Sequence, residues 1–361
     1  MNQNDVITSK EWKSLLCMAI LPKLFFSFLP DSVGAAGTAF WYTNLCSALI
    51  CMVFFLLMRS FMKQYPGKTL PEIFQLVLGT FLGKGAGTLF YLYFVAYTAD
   101  LLGEGIQLIK IYNFPNTPFW IFTTGFLLIN LFLFPHGTKG IIKGTSFLFY
   151  PVLFAVLLAL AVGSKQYRME YLFPLGGYGI NRSLLCVGGG LSVYTDLILL
   201  LSTVIPKSKK ETRSLFHGLL ICVGVIGLSS LCYLLTFGYR SSQGKTVGLV
   251  EIVQNVYFNS LFQRMEALFF LFMVIGMTVS VCIWCFLSLK LYSTVYGISE
   301  KKELLFPHLL MIFALANVSQ VQTKQFSLMA GYLFRYGGGV LFAFCILVWG
   351  IAQIRRRRHH G

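Results

Sequence analysis

Charge is missing from long stretches of this sequence. Residues 37–58, 144–164, 267–289 and 336–354 contain no Asp, Glu, Lys or Arg. At about 1.5 Å rise per residue, a helix of any of these lengths crosses a hydrocarbon core about 30 Å thick. Only 12% of the 361 residues are charged and 56% are hydrophobic, which leaves too little polar surface for a soluble domain of this length. The alternating ten-residue pattern of a membrane β-barrel is absent too. The fold class is therefore all-α and integral to a membrane. A small-residue cleavage site is also lacking. The first apolar run continues into Lys23 and Pro30, so it reads as a span and not as a removable signal.

The groupings that carry covalent or metal chemistry are missing as well. No nucleophile–base pair, catalytic carboxylate pair or zinc pattern stands out, and His136, His217 and His308 lack ligand spacing. Each reaction class needs convergent groups, so neither enzyme activity nor a cofactor or metal is expected. Cys282-Ile-Trp-Cys285 has the spelling of a redox or metal pair. On a spanning helix it reads as two small apolar residues on one face. Gly67-Lys68-Thr69 and Gly244-Lys245-Thr246 spell the end of a phosphate-binding loop, but neither has Gly five residues before its glycine, and no parallel strand precedes them.

What is present is a series of apolar runs. Ten spans are expected, at about 12–30, 37–59, 85–111, 118–135, 144–163, 183–205, 214–239, 265–292, 304–320 and 332–354. The formal charge of +16 follows their connections. With the N-terminus inside, most Lys and Arg fall in cytoplasmic segments, among them Lys207, Lys209, Lys210 and Arg355 to Arg358. This is the positive-inside bias, and it places both termini in the cytoplasm. The basic excess thus reports topology and anionic-lipid contact, not nucleic-acid binding.

Two charges interrupt the apolar runs. Lys23 follows Pro22 in the first span, and Asp196 lies six residues after Gly188-Gly189-Gly190 in the sixth. A charge at membrane depth costs about 3 kcal/mol or more and marks a partner or a task. Helices broken by Pro or Gly free backbone groups that bind ions or ligands. The two features fall in corresponding spans of two five-span halves, about 12–163 and 183–354, of one polytopic domain. The halves share a further echo. Pro66-Gly67-Lys68-Thr69 before Glu72, and Gly244-Lys245-Thr246 before Glu251, each precede a short amphipathic stretch and then a long span. Five spans per half make the repeat inverted.

The run Tyr65-Pro-Gly-Lys-Thr-Leu, Glu72-Ile73, Leu78-Gly79, Leu82-Gly83-Lys84 and Gly87, with Pro115-Asn-Thr-Pro118 after the third span, resembles the B subunit of spore germinant receptors. So do Asp196, the Pro206-Lys-Ser-Lys stretch, Arg264-Met-Glu266-Ala and the basic tail. This is the spore permease family of the amino acid–polyamine–organocation superfamily. The resemblance implies a LeuT-like 5+5 inverted repeat with broken helices 1 and 6, located in the spore inner membrane. It implies a small germinant, often an amino acid, and partner A and C subunits. The run Leu21-Pro22-Lys23-Leu24 departs from the Gly-rich break usual in the superfamily's first span.

Candidate ligand-binding residues are Lys23, Leu24, Tyr93, Tyr97, Gly188, Gly189, Gly190 and Asp196. The three glycines lower helix propensity by about 1 kcal/mol each against Ala, or they serve close helix packing. Asp196 receives a cation, a ligand amine or Lys23; alternatively Lys23 and Asp196 form an ion pair that joins spans one and six. Opposite charges near both breaks predict that the two face one central cavity. Asp100 and Glu104 share a face near the outer end of span three and read as solvated mouth residues. Three functions stay open: a germinant-sensing subunit, a permease for amino acids or other small solutes, and an assembly subunit without a ligand.

Overall fold

The computed structural model describes residues 8–26, 28–206, 208–242, 248–254, 265–298, 302–321 and 324–360. Gly244-Lys245-Thr246 and Arg264 lie outside them, as do the side chains of His136, Glu266, His359 and His360. One half of the expected internal echo is therefore not described.

The described residues are helical almost throughout. In chain order the helices are α1 (Ser9–Ile20), α2 (Phe28–Ala36), α3 (Phe40–Lys63), α4 (Leu70–Leu78), α5 (Thr80–Tyr112), α6 (Phe119–Leu133), α7 (Gly137–Gly163), α8 (Ile180–Gly190), α9 (Thr195–Thr203), α10 (Lys209–Ser242), α11 (Gly248–Gln254), α12 (Met265–Tyr296), α13 (Lys302–Val321) and α14 (Lys324–His360). Each expected span overlaps one of these helices or a closely spaced set. Among the described residues, six stretches are both long and apolar enough to cross a membrane: Phe28–Lys63, Gly140–Gln166, Ile180–Thr203, Lys209–Ser242, Ala267–Tyr296 and Gly331–Arg357. Phe119–Leu133 and Glu303–Val318 are apolar but shorter.

Local chemistry sets the element ends. A capping box opens α1, where the Thr8 N–H donates to Glu11 Oε2 at 2.6 Å and the Glu11 N–H donates to Thr8 Oγ1 at 3.4 Å. Reciprocal caps satisfy two of the free amides at a helix start. A second box opens α4, where Glu72 Oε2 accepts from the Thr69 N–H at 2.7 Å and from its hydroxyl at 2.9 Å. This gives Thr69 and Glu72 of the quoted motif a structural role. The short amphipathic stretch expected there ends at Leu78. Gly79, with φ 91°, turns the chain there and α5 begins at Thr80. Only glycine enters that region at little cost.

The packing is built around α1. It lies against α10, α7 and α12, and α5 packs against α12, α4 and α13. Trp12, Leu16, Ile20, Phe94, Leu197 and Trp284 belong to one continuous buried core. Two interruptions cut through it. Between α1 and α2 the chain tightens to a 3₁₀ turn, Leu21–Phe25, and Phe26 is extended. Between α8 and α9 it does so again at Leu191–Tyr194.

Candidate functional site

The first interruption follows from Pro22. Proline has no N–H to donate and its ring clashes with the preceding turn, so regular α-helix stops at Ile20. The second lies later than the sequence suggested. Gly188 to Gly190 are not themselves the break; they form the last turn of α8, and the irregular turn comes directly after them. At Gly189 and Gly190 the missing side chain gives space to neighbours, whereas Gly188 has none close by. A Cβ on Gly190 would lie 2.4 Å from Ser47 Oγ of α3, and one on Gly189 would lie 3.2 Å from Arg335 Cγ of α14. The break itself is clamped from the opposite side. A Cβ on Gly338 would come within 2.5 Å of Ser192 Cα, and Ser192 Oγ donates to the Arg335 carbonyl at 2.7 Å.

Lys23 and Asp196 meet where the two breaks face each other. They form an ion pair, with Lys23 3% and Asp196 2% exposed, so neither charge reaches lipid or bulk water. The pair has further partners. Lys23 Nζ also donates to the Val193 carbonyl at 2.9 Å, inside the 3₁₀ turn. Trp284 Nε1 of α12 donates to the second oxygen, Asp196 Oδ1, at 2.7 Å. The ammonium lies 5.0 Å from the ring centroid of Tyr97 and 5.6 Å from that of Trp284, within reach of cation–π attraction. Helix ends assist both charges. Asp196 sits in the first turn of α9 and Lys23 in the turn that ends the α1 segment; these are the positions favoured for an anion and a cation.

A cavity of about 430 Å³ opens beside this pair. Of the candidate residues, Lys23, Tyr97, Gly189 and Gly190 line it; Leu24, Tyr93, Gly188 and Asp196 do not. Leu24 is buried in the core. Tyr93 stacks on Tyr97, with ring centroids 5.9 Å apart, and its hydroxyl is buried without a partner. Asp196 stands behind Lys23. Asp100 and Glu104 line the cavity wall, as do Asp31 of α2, Ser192 of the second break and Arg335 of α14.

Sequence reasoning missed two of these groups. Trp284 lay inside Cys282-Ile-Trp-Cys285, where the cysteines drew the eye, and an indole N–H in a chargeless span signals an acceptor nearby. Arg335 borders the chargeless run at 336–354, where nothing local sets it apart from an ordinary flanking cation. His308 is also less isolated than it looked. Its ring nitrogens lie 3.1 Å from the Tyr91 hydroxyl and 3.1 Å from the Cys285 carbonyl, tying α13 to α5 and α12.

Comparison with known proteins agrees across most of the chain. Residues 7–325 match the model of a family described as spore germination protein. Spore germination protein KB of Bacillus subtilis (strain 168) is 24% identical over 305 residues, 80% of this chain and 77% of that protein. Spore germination protein B2 of the same organism is 28% identical over 158 residues. That match covers 42% of either chain, so less than half the length of B2 is spanned.

Proposed function

The chain belongs to the spore germination protein family, and from that premise we propose that it is a B-type germinant receptor subunit. It binds a small, amino-acid-like germinant in the central cavity and passes the signal to A- and C-type partner subunits. The observation that carries this reading is the meeting of two helix interruptions, bridged by Lys23 and Asp196, on the wall of a 430 Å³ cavity. Cavities of about 300–1,000 Å³ suit small ligands. Helix breaks at one depth are the device by which ten-span, 5+5 inverted-repeat transporters hold a solute. Such a site senses as readily as it carries. A ligand that prefers one arrangement of the breaks shifts the population toward it.

In this reading α1, α5, α6 and α13 also cross the membrane beside the six long apolar stretches, and both termini are cytoplasmic. Cysteine labelling from each side of the membrane tests the topology: residues 208–212 are expected inside, and labelling from outside would overturn the inverted repeat. The function is tested in spores lacking the gene. Complementation with the wild-type chain restores ligand-dependent germination, and the Tyr97→Ala variant lowers the response at a given ligand concentration.

The same interrupted helices support a second reading, a permease for small solutes. Concentrative uptake by the isolated chain in liposomes would favour it, and dependence of every response on partner subunits would favour the receptor.

A further inference from the structure

The charges in the cavity divide into two kinds. The Lys23 ammonium is neutralised by Asp196 and also bonded to the Val193 carbonyl, and both Asp196 oxygens have donors. Arg335 is different. Its guanidinium lines the same cavity, yet among the described residues its hydrogen-bond partner is Cys186 Sγ at 4.0 Å. It also lies 5.8 Å from the Tyr336 ring centroid. It has no ion pair among the described residues. Five N–H donors in a planar fork are thus held with one long contact to sulfur.

The surroundings position this fork. The Arg335 carbonyl accepts from Ser192 Oγ at 2.7 Å, which ties its backbone to the second break. The absence of a side chain at Gly189 leaves room for the Arg335 stem, since a Cβ there would lie 3.2 Å from Cγ and 3.4 Å from Nε. Asp100, half-buried on α5, lines the same cavity and makes no ion pair among the described residues. Arg335 is itself half-buried, and a carboxylate supplies two acceptors in the geometry that matches its fork.

We infer that Arg335 is the ligand's carboxylate receptor, with Asp100 facing its amine, and that the Lys23–Asp196 pair supports the breaks without reading ligand charge. This rests on the proposed role of the cavity as the germinant site. It makes the occupant a zwitterion whose carboxylate lies against α14.

The test uses the full chain in lipid nanodiscs, with binding followed by titration calorimetry. The probes are the standard amino acids, each with its amide, which keeps the amine and lacks the carboxylate. At least one amino acid is expected to bind, with its amide about 10- to 100-fold weaker, the range for a charged hydrogen bond. In Arg335→Gln the two forms bind alike. Arg335→Lys keeps the charge without the fork and retains part of the discrimination. It carries the test should the Gln variant misfold. Asp100→Asn weakens acid and amide by similar factors. An amide that matches its acid in the wild type, or discrimination that survives Arg335→Gln, overturns the inference. If Tyr332→Ala, at an exposed position on the cavity wall, still weakens both forms, the cavity remains the binding site and only the Arg335 assignment fails. Absence of binding by every amino acid overturns both.

Discussion

Two charged regions border one cavity, and they are built in opposite ways. At its inner wall Lys23 and Asp196 face each other, with Val193 and Trp284 completing their bonds. On the α14 side Arg335 has, among the described residues, one long hydrogen-bond contact to sulfur. The first arrangement closes its electrostatics within the protein; the second leaves them open to whatever enters. A buried charge paired within the protein holds a fold together, whereas a half-buried one with few protein partners is available to a ligand. The difference predicts that the inner pair governs stability and the α14 side governs binding.

The strongest test of this contrast breaks the inner pair. Lys23→Met leaves Asp196 buried without its cation and is expected to cost about 3–5 kcal/mol, read as a fall in thermal denaturation midpoint in detergent. Lys23→Met with Asp196→Asn removes both charges and recovers part of that loss. A double variant whose defect is the plain sum of the singles would mean the two side chains are not coupled. Next in size is Gly190→Ala, which drives a methyl to 2.4 Å from Ser47 Oγ. Overpacking of this kind costs about 1–3 kcal/mol, and Gly190→Ala with Ser47→Gly restores part of it. Trp284→Phe removes the donor to Asp196 Oδ1 while keeping most of the ring. A hydrogen bond to a charged group contributes about 1.5–3 kcal/mol, so a loss of about 1.5 kcal/mol is expected by the same measurement. The smallest effect belongs to the α14 side. Arg335→Gln shifts stability by about 0.5 kcal/mol or less, as for substitutions that break no buried pairing, and yet abolishes carboxylate discrimination. A large stability loss there would erase the distinction between the two regions.

How much of this was legible in the sequence follows the same division. Apolar runs fix helices, so each expected span overlaps an observed helix. Pro22 stops a helix wherever it stands, and the first break falls there. Lys23 and Asp196 were visible because charge is so scarce around them. The glycines misled: they are permissive for a break, but only tertiary neighbours decide whether that freedom is used for bending or for close approach. Ser47 and Arg335 lie 143 and 145 residues away from Gly190, and no local pattern announces them. Trp284 was hidden for the same reason. It reaches Asp196 across 88 residues of sequence. Arg335 did not stand out, because a cation beside an apolar run has the same spelling whether it meets headgroups or a cavity.

The hydrogen bond between Ser192 and the Arg335 backbone has a mechanical meaning. It fastens the irregular turn of the second break to α14, a single rod of 37 residues. From Gly338, where the two segments touch, to the far end of that rod is about 33 Å at 1.5 Å per residue. A rocking of about 5° at the contact would swing the distal end by about 3 Å, by simple leverage along the helix. Near that end Arg355 holds the carbonyl of Val77, the penultimate residue of α4. A movement too small to open the cavity wall would therefore be large where α14 meets α4, so the latch at Arg355 reports on the turn at Ser192 from the opposite end of the lever.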